Sequence, residues 1–177
     1  MKKCRHCKEP FTPIRSTLEK YCQKSECIRV WVETEKQKAW TKKKKQAKAE
    51  MLTVQDYVKM AQQVFNAYIN KRDSGKPCIS CGKKITGRVN ASHYYNANNH
   101  WNVRFDEMNV HGACVECNQW KHGNLIEYGI RLEKLIGEDE FTILRDKAYQ
   151  LRKFTREELK EIIAYYKAKI RGYENNR

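Results

Sequence analysis

Eight cysteines in four short-range pairs constrain this chain more than any other feature. The first set runs Cys4-x2-Cys7-x14-Cys22-x4-Cys27; the second joins Cys78-x2-Cys81 to Cys114-x2-Cys117 across 32 intervening residues. Thiolates in such knuckles suit closed tetrahedral zinc, which can fold a segment too small to bury a core of its own. In an exported chain eight cysteines would instead suggest disulfides. Paired spacings in a lysine-rich chain with no export signal point to two structural Zn2+ sites.

The bulk numbers narrow the partners. The 177 residues suffice for one ordinary domain, or a small one with appendages. Hydrophobic residues make up 40% and the net charge is +15, which suits a polyanion such as DNA. Residues 1–50 hold 15 basic and 6 acidic side chains, so +9 of that charge lies in the first third. No apolar run reaches the length of a membrane span, so the expectation is a soluble, cytoplasmic protein with no membrane partner.

Three segments are expected. Residues 1–30 read as a zinc-finger module whose basic residues Lys2, Lys3, Arg5, Lys8 and Lys24 suit either a cap or DNA contact. Residues 31–52 form a basic helical linker ending in Lys42, Lys43, Lys44 and Lys45, read as a phosphate-binding arm rather than only a solvated face. Residues 53–177 form the third domain. Its first helix starts at the capping box Thr53-x-x-Asp56, with Tyr57, Val58, Ala61, Phe65, Tyr68 and Ile69 on one face, and stops before Ser74-Gly75-Lys76-Pro77. Beyond the second cysteine set, Ile126, Ile130, Leu135 and Ile136 recur at helical spacing. Thr155-x-x-Glu158 opens the last helix, whose stripe is Leu159, Ile162, Ile163, Tyr166 and Ile170.

Between and just beyond the second pair of knuckles stand His93, Asn109, Asn118 and Lys121, in that order. The order resembles the HNH nuclease signature. That resemblance implies an α+β, mostly helical chain with a zinc-stapled ββα-metal core, flanking helices and an N-terminal zinc finger. It makes His93, in a strand over 89–95, the general base. Asn109 pins the loop that orients it, ahead of a second strand over 110–113. Asn118, in the first turn of the following helix, is a ligand for catalytic Mg2+ or Mn2+, and Lys121 is a phosphate contact.

One position departs from that pattern. Ser92 stands where such enzymes commonly carry an aspartate ligand, so another group must help hold the ion. His122, four residues after Asn118 on its helical face, is one candidate, and His93 and Asn90 are others. His111 is open between a phosphate contact facing His93 and a buried hydrogen-bonded residue. His100 falls in a polar loop between the strands.

The wider pattern includes Pro77-Cys78-Ile79-Ser80-Cys81-Gly82, Ser92-His93-Tyr94, Arg104-Phe105 and Asn109-Val110-His111. It continues through Cys114-Val115-x-Cys117-Asn118-Gln119 and Lys121-x-Gly123-Asn124-Leu125. This resembles the phage lambda-type NinG/Rap recombination endonucleases over about residues 53–170, and the N-terminal cysteines with their Lys-rich helix look similar too. The resemblance implies a structure-specific endonuclease for Holliday junctions and D-loops, working in the host cytoplasm. A homodimer, with the last helix as its interface, would supply two coordinated incisions. Two other functions compete: an HNH nickase without branch preference, and a noncatalytic zinc-finger DNA-binding protein in which Ser92 marks a decayed site.

Overall fold

A computed structural model describes residues 1–175. It divides into two compact units, Met1–Leu52 and Thr53 onward. The last two positions of the expected 53–177 domain lie outside the described residues.

In the first unit, the short antiparallel strands β1 (Lys2–Lys3) and β2 (Pro10–Phe11) flank the first knuckle. Helix α1 spans Ser25–Met51, so Cys27 already lies in its first turn and Lys42–Lys45 lie near its end. Cys4, Cys22 and Cys27 are the buried centre of this unit, with Phe11 and Tyr21 packed around them. Four sulfurs and two rings replace a conventional core, which a segment of this size could not supply.

The second unit opens with α2 (Val54–Arg72), whose Thr53 side chain and Asp56 carboxylate exchange bonds as a full capping box. Its apolar stripe packs on α5 (Arg156–Asn175), which starts with a similar reciprocal pair between Thr155 and Glu158. Phe65, Tyr68, Ile69 and Tyr166 meet here together with Val110. Leu159, Ile163 and Tyr166 of the last helix are buried within this unit.

Strands β3 (Asn90–His93) and β4 (Val110–Ala113) form an antiparallel hairpin with Ser92 opposite His111 and His93 opposite Val110. β3 is shorter than the expected 89–95 strand. Tyr94 still bonds the Asn109 carbonyl, but the Tyr95 amide turns to the Asn109 side chain instead. The end of α2 fastens this hairpin: Arg72 reaches the Val110 carbonyl at 2.7 Å, and the Asp73 carboxylate accepts the Gly112 amide at 2.8 Å. A side chain at Gly112 would meet Asp73 Cβ and Val89 Cγ1, each 2.9 Å away, so this approach requires glycine.

After β4 come a π-helical turn at Glu116–Trp120, then α3 (Leu125–Ile136) and α4 (Glu138–Ala148). Of the apolar residues at helical spacing on α3, Ile136 packs partly buried against a core. Ile126 is 80% exposed, Ile130 and Leu135 are exposed, and Tyr128 and Leu132 are fully buried. The pair Tyr128 and Leu132 is itself at i, i+4 spacing, and both join Val103, Leu144 and Ala148 in a second core. Among the described residues, no helix is long and apolar enough to cross a membrane.

Candidate functional site

Two cysteine clusters frame the chemistry. In each, the four sulfurs lie within 4.8 Å of one another. A tetrahedron with Zn–S bonds of about 2.3 Å has edges of about 3.8 Å, and Cys7 Sγ lies 3.7 Å from Cys22 Sγ. Backbone amides point at the sulfurs, from Cys22 to Cys4 and from Cys114 to Cys78, each at 3.3 Å. Burial opposes ionisation of Cys4, but the amides of Cys22, Cys7 and His6 outweigh it and bring the thiol down to about 6. The same competition brings Cys78 to about 7. In the same clusters burial and the neighbouring thiols push Cys27 up to about 12 and raise Cys117 as well, so it is the sulfur donors and their spacing that fit zinc, and either cluster could hold one ion.

The knuckles also share a turn. Four residues after its first cysteine each chain segment adopts a left-handed backbone, at Lys8 (φ 63°) and at Gly82 (φ 70°). The second knuckle steers the hairpin. Ile79 donates to the Gly112 carbonyl at 3.0 Å and the Ser80 hydroxyl to the Gly123 carbonyl at 2.8 Å.

His93 closes β3 on the face that carries Ala91 and Val110, with the Phe65 ring centroid 6.4 Å from its own. Its Nε2 lies 3.0 Å from the Arg104 carbonyl oxygen. A carbonyl only accepts, so Nε2 carries the proton and Nδ1 carries the lone pair. Burial lowers the imidazole pKa below its usual value, opposed by the Arg104 carbonyl bond and aided by the Arg104 charge, so the ring is neutral at pH 7.

Asn109 is fully buried and locks the connecting loop from three sides. Its Oδ1 accepts the Tyr95 amide at 2.8 Å, and its Nδ2 donates to the carbonyls of Tyr95 and Val103, both at 3.0 Å. Val103 immediately precedes Arg104, so the side chain of Asn109 holds the backbone that in turn holds His93.

His111 lies on the opposite face of the hairpin, beside Ser92, which corrects the expectation that it could face His93. The Tyr128 hydroxyl donates to the Ser92 carbonyl at 2.9 Å, so His111 Nδ1 donates to that hydroxyl at 3.2 Å. Burial, then the charge of Arg72, push the His111 pKa down to about 4. Such a histidine favours the fold above its ordinary pKa near 6.5, and that contribution is lost as pH falls through about 4. Between pH 7 and pH 5 the wild type should therefore lose about 2 kcal/mol more unfolding free energy than His111→Gln, since about 1.4 kcal/mol accompanies each pKa unit. Urea titrations at the two pH values check this; parallel losses would remove the assignment.

The remaining expected residues are less well gathered. Asn118 is half-buried in the π turn, and Lys121 forms an exposed ion pair with Glu116 at 2.8 Å. His122 does not share a helical face with Asn118. The turn ends at Trp120, the Gly123 amide folds back onto the Cys117 carbonyl, and His122 takes a left-handed backbone (φ 47°). Asn90 is buried with its Nδ2 unpartnered, and Ser92 is 1% exposed, its carbonyl bonded by Tyr128. Among the described residues, the two cysteine sets are the only groups of three or more His, Cys, Asp or Glu placed to share an ion. Magnesium is usually held by one or two carboxylates plus substrate phosphates. The neutral donors here do not form such a cage.

Tyr128 and the Arg72–Asp73 clamp were not legible as site residues. Tyr128 pairs with Leu132 at helical spacing, a core signal, and nothing local announces that its hydroxyl reaches β3.

The family model for Bacteriophage Lambda NinG protein matches residues 1–176. The chain belongs to the NinG family. Its relatives include Protein ninG of Escherichia phage lambda, 38% identical over 121 residues, covering 68% of this chain and 59% of that protein. Protein ninG of Salmonella phage P22 is 39% identical over 124 residues, covering 68% and 59%. Protein ninG of Escherichia phage 933W is 38% identical over 121 residues, covering 68% and 60%. The matched stretch thus spans about three fifths of these relatives' length. No solved structure matches this NinG-family chain.

Proposed function

We propose that this NinG-family protein is an HNH-type endodeoxyribonuclease acting on branched DNA, with His93 as general base. The observation that carries the reading is the relay from Asn109 through the 103–104 backbone to His93. A neutral imidazole with Nε2–H fixed on a carbonyl presents Nδ1 as its basic atom, and the bond stabilises the cation formed when that atom takes a proton from water. Asn109 acts by position: it keeps the carbonyl where the ring needs it.

A divalent ion, Mg2+ or Mn2+, would supply charge stabilisation at the phosphate, with Asn118 as the oxygen donor proposed from this chain. Because no carboxylate completes that site, proton transfer at His93 is the step that this chain's own residues supply. The absent carboxylate and the burial of Ser92 favour a second reading, a zinc-stapled DNA-binding protein without cleavage.

Incubating zinc-loaded protein and Mg2+ or Mn2+ with a labelled four-way junction, beside a matched linear duplex, tests both. The proposed enzyme nicks the junction in preference. Equal cutting would remove the branch preference, and binding without cutting would leave the second reading.

The basic end of α1 is proposed to contact phosphates. Replacing Lys42, Lys43, Lys44 and Lys45 by Gln should weaken DNA binding and leave the cleavage position unchanged. With about 0.9 log–log salt-slope units per phosphate contact, four contacts lower the slope by about 3.6. Binding isotherms across a salt series read this directly. An unchanged slope and affinity would make the lysines a solvated face.

A further inference from the structure

Within the unit 1–52, a cleft of about 500 Å3 opens between the segment before Cys22 and the first turns of α1. Its size falls in the range of about 300–1,000 Å3 common for ligand clefts. The lining mixes apolar surface with cations. Trp31 is 46% exposed and Leu18 79% exposed, and Ile28 contributes beside them. Arg5, Arg15 and Lys20 also line it, and among the described residues none of them forms an ion pair.

The acidic groups in the cleft are already engaged. Glu19 accepts the amides of Ile14 and Arg15 at 3.0 and 2.9 Å, which fixes the loop carrying Arg15. Glu35 is paired with Lys38 at 2.6 Å. The cleft thus presents an indole with the cations Arg5, Arg15 and Lys20 beside the Glu35–Lys38 pair and the Glu19 carboxylate, which feels the charge of Arg15. It lies inside a unit whose 15 basic residues outnumber its 6 acidic ones.

We propose that this cleft binds an unpaired nucleotide of single-stranded DNA, its base stacked on Trp31 and its phosphates held by Arg5, Arg15 and Lys20. Every base offers a π face, so stacking is tolerant of sequence, and guanidinium forks suit phosphate oxygens. Base pairs in an intact duplex bury those faces, whereas branch points and single strands expose them. The cleft therefore deepens the DNA reading above and rests on it only for the identity of the polymer. It does not depend on cleavage.

The experiment uses the zinc-loaded full chain with fluorescein-labelled oligothymidylate of about 20 nucleotides, a length spanning the site sizes of single-strand binders, and a blunt duplex of equal length. Stacking is worth about 1–3 kcal/mol per base, so Trp31→Ala should weaken oligothymidylate binding about tenfold and duplex binding by less than about twofold. Trp31→Phe should retain most of the affinity but lose the tryptophan quenching that oligothymidylate produces in the wild type. Arg5→Gln combined with Arg15→Gln should weaken single-strand binding with α1 intact by circular dichroism, which keeps the test open if Trp31→Ala misfolds. Equal loss on both DNAs, or unchanged quenching in Trp31→Phe, overturns the proposal. Tighter binding of oligouridylate than of oligothymidylate overturns DNA as the occupant. If the wild type cuts no DNA yet shows Trp31-dependent binding, the nuclease reading fails and the cleft stands; the reverse pattern sinks the cleft alone.

Discussion

Cys78→Ser should leave a protein with one bound zinc instead of two and no cooperative unfolding of the unit from Thr53 onward. Cys78 is 1% exposed and packs with Ala113 and Cys117, so its sulfur sits at the junction of the knuckle and β4. Serine replaces a thiolate with a neutral hydroxyl and leaves three sulfurs around the ion. Structural zinc contributes about 10–16 kcal/mol of apparent binding free energy in small sites, while whole domains are stable by only about 5–15 kcal/mol. Cys4→Ser should also cost one zinc but spare the second unit, because its cluster lies wholly in residues 1–52. Metal analysis with chemical unfolding of both variants checks the pair. Two zinc ions and an unchanged transition in Cys78→Ser would contradict the account.

What could be read in advance was what depends on local spacing. Each of the three C-x2-C knuckles, opening at Cys4, Cys78 and Cys114, needs only short-range geometry to bring its own two sulfurs together, and Thr53/Asp56 and Thr155/Glu158 close their caps within four residues. The face of α2 was legible because its buried residues are apolar and regularly spaced. The buried face of α3 was not legible for the opposite reason. Ile126 and Ile130 lie on its exposed side, and the buried side carries Tyr128, Gly129 and Leu132. At Gly129 an added Cβ would lie 2.8 Å from the Tyr94 hydroxyl, a contact set by tertiary packing. His122 was misplaced because sequence spacing assumes that a helix continues, and this one ends in left-handed residues beside the zinc knuckle. The Arg104 carbonyl was invisible for a simpler reason: backbone atoms carry no sequence signal. Trp31 read as one more residue of a basic helix, since the cleft beside it forms only when the first cysteine set folds.

His93→Ala should lower the rate of phosphodiester cleavage by about 10²–10⁴-fold, the usual contribution of a general base, without changing DNA affinity, zinc content or the unfolding transition. The side chain is half-buried at the end of β3, so the substitution removes one bond to Arg104 and contact with Phe65 rather than a core anchor. Wild-type cleavage should also hold its rate into acid further than an ordinary histidine base, because the lowered pKa keeps the ring neutral below about 6.5. Imidazole added to His93→Ala should restore part of the lost rate, which a merely structural role would not allow. The decisive measurement is single-turnover cleavage of a labelled four-way junction by wild type and His93→Ala, both verified to hold two zinc ions, in the presence of Mg2+ or Mn2+. The account predicts cleavage by the wild type and at least about a hundredfold loss in the variant. Equal rates in the two proteins, or no cleavage of any DNA by the wild type, would contradict it.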